Sequence, residues 1–140
     1  MSGADGPERR AEADRWLAIG DQDIAAARLC LSASPPLAAV AAYHCQQAVE
    51  KIAKALLMAA GGTFPKTHDL AALSAMAGPY YPELAVRLAA LEPITAWGFA
   101  YRYPPEEEGE APPSAAELQR RLRDIDALRQ AAAAAIRGRN

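Results

Sequence analysis

The stretch from residue 41 to residue 57, AAYHCQQAVEKIAKALL, decides the fold because it combines two patterns on one helix. A polar row at positions 43, 47, 50 and 54 advances by four, three and four residues, which aligns Tyr43, Gln47, Glu50 and Lys54 on one line. Beside that row, apolar residues recur at helical spacing over a broad face: Ala41, Ala42, Cys45, Ala48, Val49, Ile52, Ala53, Leu56 and Leu57. The stretch predicts a long helix whose buried face adjoins an ordered row of polar groups.

Two long helices are expected in the first half of the chain. The first should cover residues 8–33, although Gly20 interrupts its apolar pattern. The second should follow Ser34-Pro35-Pro36, with Ser34 as its N-cap, and should end at Gly61-Gly62. At about 25 residues, each helix would be nearly 40 Å long. Two alanine-rich helices of this length have more apolar face than short partners cover, which predicts a dimer.

The second half of the chain predicts shorter elements and one long connection. A third helix is expected to begin at Thr67, its predicted N-cap, and a fourth segment should run from Pro82 to Pro93. The helical pattern is lost from Trp97, so residues 98–113 are expected to form a long loop. A capping box that begins at Ser114 opens the last helix. These elements predict an all-α, up-and-down bundle of four to five helices with a long loop before the last one.

Composition bounds the class of protein. The 140 residues suit one domain over residues 1–140, in which residues 1–8 should be flexible and residues 137–140 should form a tail. A net charge of −2 and a pI of about 5.7 weaken any general attraction to nucleic acid. The N-terminus has no apolar run and no membrane span is found, so we expect a cytoplasmic protein. Cys30 and Cys45 have no metal-ligand spacing and are expected to be buried free thiols, with no metal or cofactor.

Four short motifs occur in order between residues 16 and 136. Trp16 with Asp23-Ile24-Ala25-Ala26-Ala27 looks like a W…DL..A pattern, and residues 43–57 look like a QQAxEKxxKALL run. Thr67-His68-Asp69-Leu70 matches a THDL that follows a glycine-bearing loop, and Arg102-Tyr103-Pro104 is similar to a late RYP. Together these motifs resemble the HEPN domain family, small helical-bundle proteins of bacteria and archaea.

The resemblance implies a homodimeric helical bundle, often paired with a small nucleotidyltransferase, and some members are ribonucleases of toxin–antitoxin systems. That ribonuclease branch uses an arginine followed four to six residues later by a histidine. Here Arg102 is followed by YPPEEEGE, and the only histidines of the chain are His44 and His68. The absence of the motif after Arg102 argues against catalysis.

Arg102 and Tyr103 are the first candidates for a binding site. An arginine offers a planar fork to phosphate oxygens, and a tyrosine can stack on a base. The alternative is structural: Tyr103 would pack the loop against the bundle while Arg102 neutralises Glu106 to Glu108. The sequence leaves both interpretations open.

The polar row and His68 supply the remaining candidates. Glu50, Lys51 and Lys54 could present ammonium groups to an anion, or Glu50 and Lys54 could be an ordinary i,i+4 pair on a solvated face. His68 could act in acid–base chemistry or contact phosphate, or its ring could hydrogen-bond a neighbouring turn and hold the third helix in place. No second histidine lies near it in sequence, which favours the structural interpretation.

These observations favour a non-catalytic module that binds a nucleotide or a partner, associated with a small nucleotidyltransferase in a toxin–antitoxin-like system. The candidate ligand-binding residues are Arg102, Tyr103, Lys51, Lys54, Glu50 and His68. The alternative is a metal-independent HEPN ribonuclease that acts on RNA.

Overall fold

The computed structural model describes residues 6–101 and 111–139, and every regular element within those ranges is helical. Five α-helices occur there: α1 (Gly6–Ser32), α2 (Ala38–Ala59), α3 (Leu70–Ala77), α4 (Ala85–Leu91) and α5 (Ala115–Arg137). Two short 3-10 segments, Pro82–Leu84 and Glu92–Gly98, precede and follow α4. The all-α bundle predicted from the sequence is confirmed.

Helices α1 and α2 form an antiparallel hairpin. The amide of Leu37 donates to the Cys30 carbonyl at 2.9 Å where the chain turns, and Arg9 lies against Gly61 at the other end. Midway, α1 continues unbroken through Gly20, where an added Cβ would lie 3.4 Å from the Cβ of Lys51. The glycine that interrupted the apolar pattern therefore marks a close approach of the two helices.

Helix α5 packs on this hairpin through one apolar face. Arg129 donates from Nε and Nη2 to the two Asp21 carboxylate oxygens at 2.8 and 2.9 Å, and Arg28 pairs with Asp126, so two ion pairs join α1 to α5. The face repeats at helical spacing and is buried at Leu118, Leu122, Ile125, Leu128, Ala132 and Ile136.

Two of the three predicted N-caps are wrong. Helix α2 begins after Leu37 without a side-chain cap, so Ser34 does not cap it. Helix α3 is capped by Asp69, whose carboxylate accepts from the Ala71 amide at 3.0 Å, while the Thr67 hydroxyl accepts from the amide of Asp69 itself. The Ser114 hydroxyl accepts from the Glu117 amide at 3.1 Å, which confirms the predicted cap of α5.

The predicted fourth segment, from Pro82 to Pro93, ends too early. A 3-10 segment continues through Pro93 to Gly98, and Trp97 within it is only 8% exposed. This segment contacts α3 through Thr95, whose hydroxyl accepts from the Leu70 amide at 3.1 Å. An α-helical apolar spacing could not reveal it, because a 3-10 helix repeats every three residues.

The two cysteines are free, and their burial differs from the prediction in part. Cys45 is fully buried and Cys30 is only half-buried. No helix in residues 6–101 or 111–139 is both long enough and apolar enough to cross a membrane.

Candidate functional site

The Glu50 carboxylate is the centre of the polar row on α2. Its side chain is 1% exposed, and three cationic or ionisable groups surround it. His68 Nδ1 donates to Oε1 at 2.7 Å, Lys54 Nζ donates to Oε2 at 3.0 Å, and Lys51 Nζ lies 3.4 Å from Oε2. Glu50, Lys51, Lys54 and His68 are called the Glu50 cluster below.

These contacts decide the ionisation of Glu50. Burial acts to raise the pKa of the Glu50 carboxyl, but hydrogen bonds from His68 and Lys54 and the charges of Lys51 and Lys54 lower it, and the net pKa lies below 4.5. The carboxylate is therefore ionised at neutral pH. Two ammonium groups face one carboxylate, so the cluster has a surplus positive charge even when His68 is neutral.

Two glutamines complete the row and fix its geometry. Gln46 is fully buried, and its Nε2 donates to the His68 carbonyl at 3.0 Å and lies 3.4 Å from Glu50 Oε1. Gln47 Nε2 donates to Gln46 Oε1 at 2.7 Å, and Gln47 Oε1 accepts from Lys51 Nζ at 2.9 Å. The amide groups thus hold the lysine and the loop that contains His68 in place against α2.

Aromatic rings from two other segments enclose the Lys54 ammonium. Its Nζ lies 5.6 Å from the centroids of both the Trp16 and Phe64 rings, which meet edge to face at 5.7 Å. This is the geometry of a cation–π contact, which favours a charged ammonium in a partly dry site. Lys54 is only 8% exposed, and so it serves mainly to neutralise Glu50.

His68 is the exposed member of the Glu50 cluster. Its side chain is 75% exposed, while its Nδ1 is held by the buried Glu50 carboxylate. Because an ionised carboxylate only accepts hydrogen bonds, Nδ1 must be protonated, which leaves Nε2 for solvent or a ligand. Lys51, with 16% of its side chain exposed, is the second group of the cluster that solvent reaches. The arrangement can bind an anion through the Lys51 ammonium, and through His68 Nε2–H where the imidazole carries a proton on both nitrogens.

The family model described as HEPN domain matches residues 13–135 of the chain. That range spans α2, the Glu50 cluster and most of α1 and α5.

The chain belongs to the HEPN domain family.

No curated protein and no solved structure matches it. The match of the HEPN domain model over residues 13–135 confirms the resemblance inferred from four short motifs.

In this HEPN domain, four of the six candidate residues lie together: Glu50, Lys51, Lys54 and His68. The other two, Arg102 and Tyr103, lie outside the described residues, and they remain predictions from the sequence. The expected i,i+4 pair of Glu50 and Lys54 forms, but it is buried, and so the solvated-face interpretation is wrong for these two residues.

The structural interpretation of His68 also needs correction. Its ring does not bond a neighbouring turn but reaches 18 residues back to Glu50, while its carbonyl binds Gln46. His44 pairs through Nδ1 with Asp23 on α1 at 2.9 Å. Within residues 6–101 and 111–139, no three His, Cys, Asp or Glu side chains are placed to hold a metal ion.

Sequence reasoning missed the aromatic part of the HEPN site and the partners of its amide groups. Trp16 and Phe64 reach Lys54 from distant positions, and Gly98 lies against Gln46, where an added Cβ would come within 2.9 Å of the side chain. The Gln46-Gln47 pair beside Glu50 was visible as a motif, but no local signal indicated its partners.

Proposed function

We propose that this HEPN domain is a non-catalytic module that binds the phosphate groups of a nucleotide at the Glu50 cluster. One observation carries the proposal: two ammonium groups surround a single buried carboxylate, and the exposed His68 ring is anchored beside them. A surplus of positive charge on a rigid, hydrogen-bonded frame suits an anionic ligand. The expected contacts come from Lys51 and His68, because Lys54 is enclosed by aromatic rings.

Calorimetric titration with ATP in the presence of EDTA tests this function. Lys51→Ala and His68→Ala should each weaken binding about tenfold, because each removes one charge-assisted or polar contact to phosphate. Arg87→Ala is the control, since this exposed arginine on α4 lies outside the cluster and its loss changes the net charge as much as Lys51→Ala does. Equal weakening in all three variants, or no ATP binding by the unaltered protein, would contradict the proposal.

We propose further that the module acts with a small nucleotidyltransferase, as the family membership suggests. Affinity purification of the tagged protein from its native cells should recover such an enzyme. Its absence among the recovered proteins would count against a toxin–antitoxin-like pairing.

A homodimer is the third part of the proposal. Leu29 is 73% exposed and Leu37 is 51% exposed on either side of the connection between α1 and α2, which leaves apolar surface for a second copy. Sedimentation at micromolar concentration should give twice the mass of the chain, and a monomer would refute this part.

The Glu50–His68 contact favours ribonuclease activity as a second candidate function. A buried carboxylate that holds one imidazole nitrogen leaves the other available for proton transfer, which is the arrangement of many acid–base histidines. RNA cleavage that survives purification and is lost in both His68→Ala and Arg102→Ala would replace the non-catalytic proposal. Cleavage that neither substitution affects would indicate contamination.

A further inference from the structure

An aromatic groove lies between the first turns of α2 and the 3-10 segment Glu92–Gly98. It is open to solvent, encloses about 400 Å³, and is lined by Ala39, Val40, Tyr43, Trp97 and Tyr101. Three of these five residues are aromatic, although aromatic residues make up only 6% of the chain.

The groove adjoins the Glu50 cluster through Gln46. Trp97 is followed by Gly98, whose missing Cβ would lie 2.9 Å from Gln46 Cδ and Oε1. Gln46 Nε2 in turn contacts the His68 carbonyl and Glu50. The buried amide therefore links the segment that carries Trp97 to the cationic site.

The two sites are also aligned along α2. Tyr43 and Glu50 lie seven residues, or two turns, apart on the same side of the helix, which corresponds to about 10 Å of rise. A ligand that reaches from the groove to the cluster must be planar and apolar at one end and anionic at the other. The separation suits a nucleoside triphosphate, with its base in the groove and its terminal phosphates at Lys51 and His68.

We propose that the aromatic groove is the base-binding subsite of the nucleotide site, with the base stacked on the rings of Tyr43 and Tyr101 over Trp97. This inference rests on the proposed phosphate binding at the Glu50 cluster. Aromatic rings can stack on the face of any nucleobase, and the tyrosine hydroxyls can hydrogen-bond the polar edge of a base. A second copy of the chain would contact only the apolar surface of the groove. A nucleotide would also use the positive charge of the adjacent Glu50 cluster, and so we favour a nucleotide.

Titration of the full chain with ATP, UTP and inorganic tripolyphosphate in EDTA tests the subsite. ATP should bind more tightly than UTP, because a purine stacks over a larger area, and both should bind more tightly than tripolyphosphate. Tyr43→Leu should weaken ATP binding by about 5- to 100-fold and leave tripolyphosphate binding unchanged. Tyr43→Phe keeps the ring and should retain most of the affinity for ATP.

Tyr80→Leu is the matched control, because Tyr80 is 46% exposed and contacts Arg139 away from the groove. ATP affinity equal to that of tripolyphosphate, or unchanged in Tyr43→Leu, would overturn the base subsite and leave the phosphate site standing. Failure of the unaltered protein to bind either compound would overturn both. Conversion of a dimer to a monomer by Tyr43→Leu, with ATP affinity unchanged, would assign the groove to a second copy and overturn the proposal.

Discussion

At the scale of single residues, Glu50 determines the chemistry of the site. A carboxylate with 1% exposure would be costly to keep ionised without partners, and here Lys54, Lys51 and His68 supply them. Removing one member of such a buried group leaves the others unpaired. Glu50 therefore affects both the stability of the fold and the charge of the cluster that a ligand would contact.

The pH dependence of unfolding should report this link. An unfolded Glu50 titrates near pH 4.5 and the native pKa lies lower, so between these values the unfolded chain binds more protons. The stability from Glu50 is fully present above pH 4.5 and is lost as the pH falls through the native pKa. Glu50→Gln should lower the unfolding free energy at neutral pH by about 3–5 kcal/mol. It should also make the unfolding free energy depend less on pH in the acid range.

Urea unfolding curves at several pH values measure both effects. Asp124→Asn is the control, since this carboxylate is exposed on α5 and should change stability by no more than about 0.5 kcal/mol. If the unfolding free energy fell equally with decreasing pH in Glu50→Gln and in the unaltered protein, this role of Glu50 would be contradicted.

Cys45 provides a second prediction at this scale. Burial raises the pKa of the Cys45 thiol to about 12, against a smaller lowering by Arg28. Since the thiolate is the reactive form, a Cys30→Ala variant should resist iodoacetamide at about pH 8 until it is unfolded. Mass spectrometry before and after urea treatment measures the labelling. Rapid alkylation of the native variant would show that Cys45 is accessible.

At the scale of elements, the N-cap predicted for α5 was correct and the N-cap predicted for α2 was wrong. Ser114 caps α5 because it stands directly before a regular helix, whereas Ser34 lies four residues before Ala38 and cannot reach its amides. A good capping residue predicts a helix start only where the chain also becomes helical at the next residue.

Ser114→Ala should therefore destabilise the protein by about 0.5–2 kcal/mol, because the Glu117 amide loses its acceptor. Ser114→Asp keeps an acceptor oxygen and adds a favourable charge at the helix start, so it should match the unaltered protein. Thermal unfolding followed by circular dichroism measures both variants. A stability of Ser114→Ala equal to that of the unaltered protein would show that the cap contributes nothing.

At the scale of the whole molecule, the site exists because three segments meet on α2. The loop that contains His68 binds Gln46 and Glu50, the segment Glu92–Gly98 packs on Gln46, and Trp16 of α1 covers Lys54. The close contact at Gly98 holds this segment against α2 next to the Glu50 cluster.

Gly98→Ala tests this assembly. Its Cβ would lie 2.9 Å from the fully buried Gln46 side chain, so we expect a loss of about 1–3 kcal/mol in unfolding free energy and weaker ATP binding. Gly138→Ala is the control, because its Cβ would make an ordinary contact at 3.5 Å with the Ala134 carbonyl. Comparable stability and binding in the two variants would show that Gln46 can move without consequence.

The sequence by itself determined the helical class and the family, because helical periodicity and short motifs are local properties of the chain. The polar row on α2 could be predicted because side chains three and four residues apart are neighbours on a helix. Only the tertiary structure decided that Glu50 and Lys54 are buried, that His68 faces solvent while bound to Glu50, and that Trp97 lines a groove. Burial and partnership depend on segments 18 to 52 residues away along the chain, and no local pattern records which distant segment will cover a given side chain.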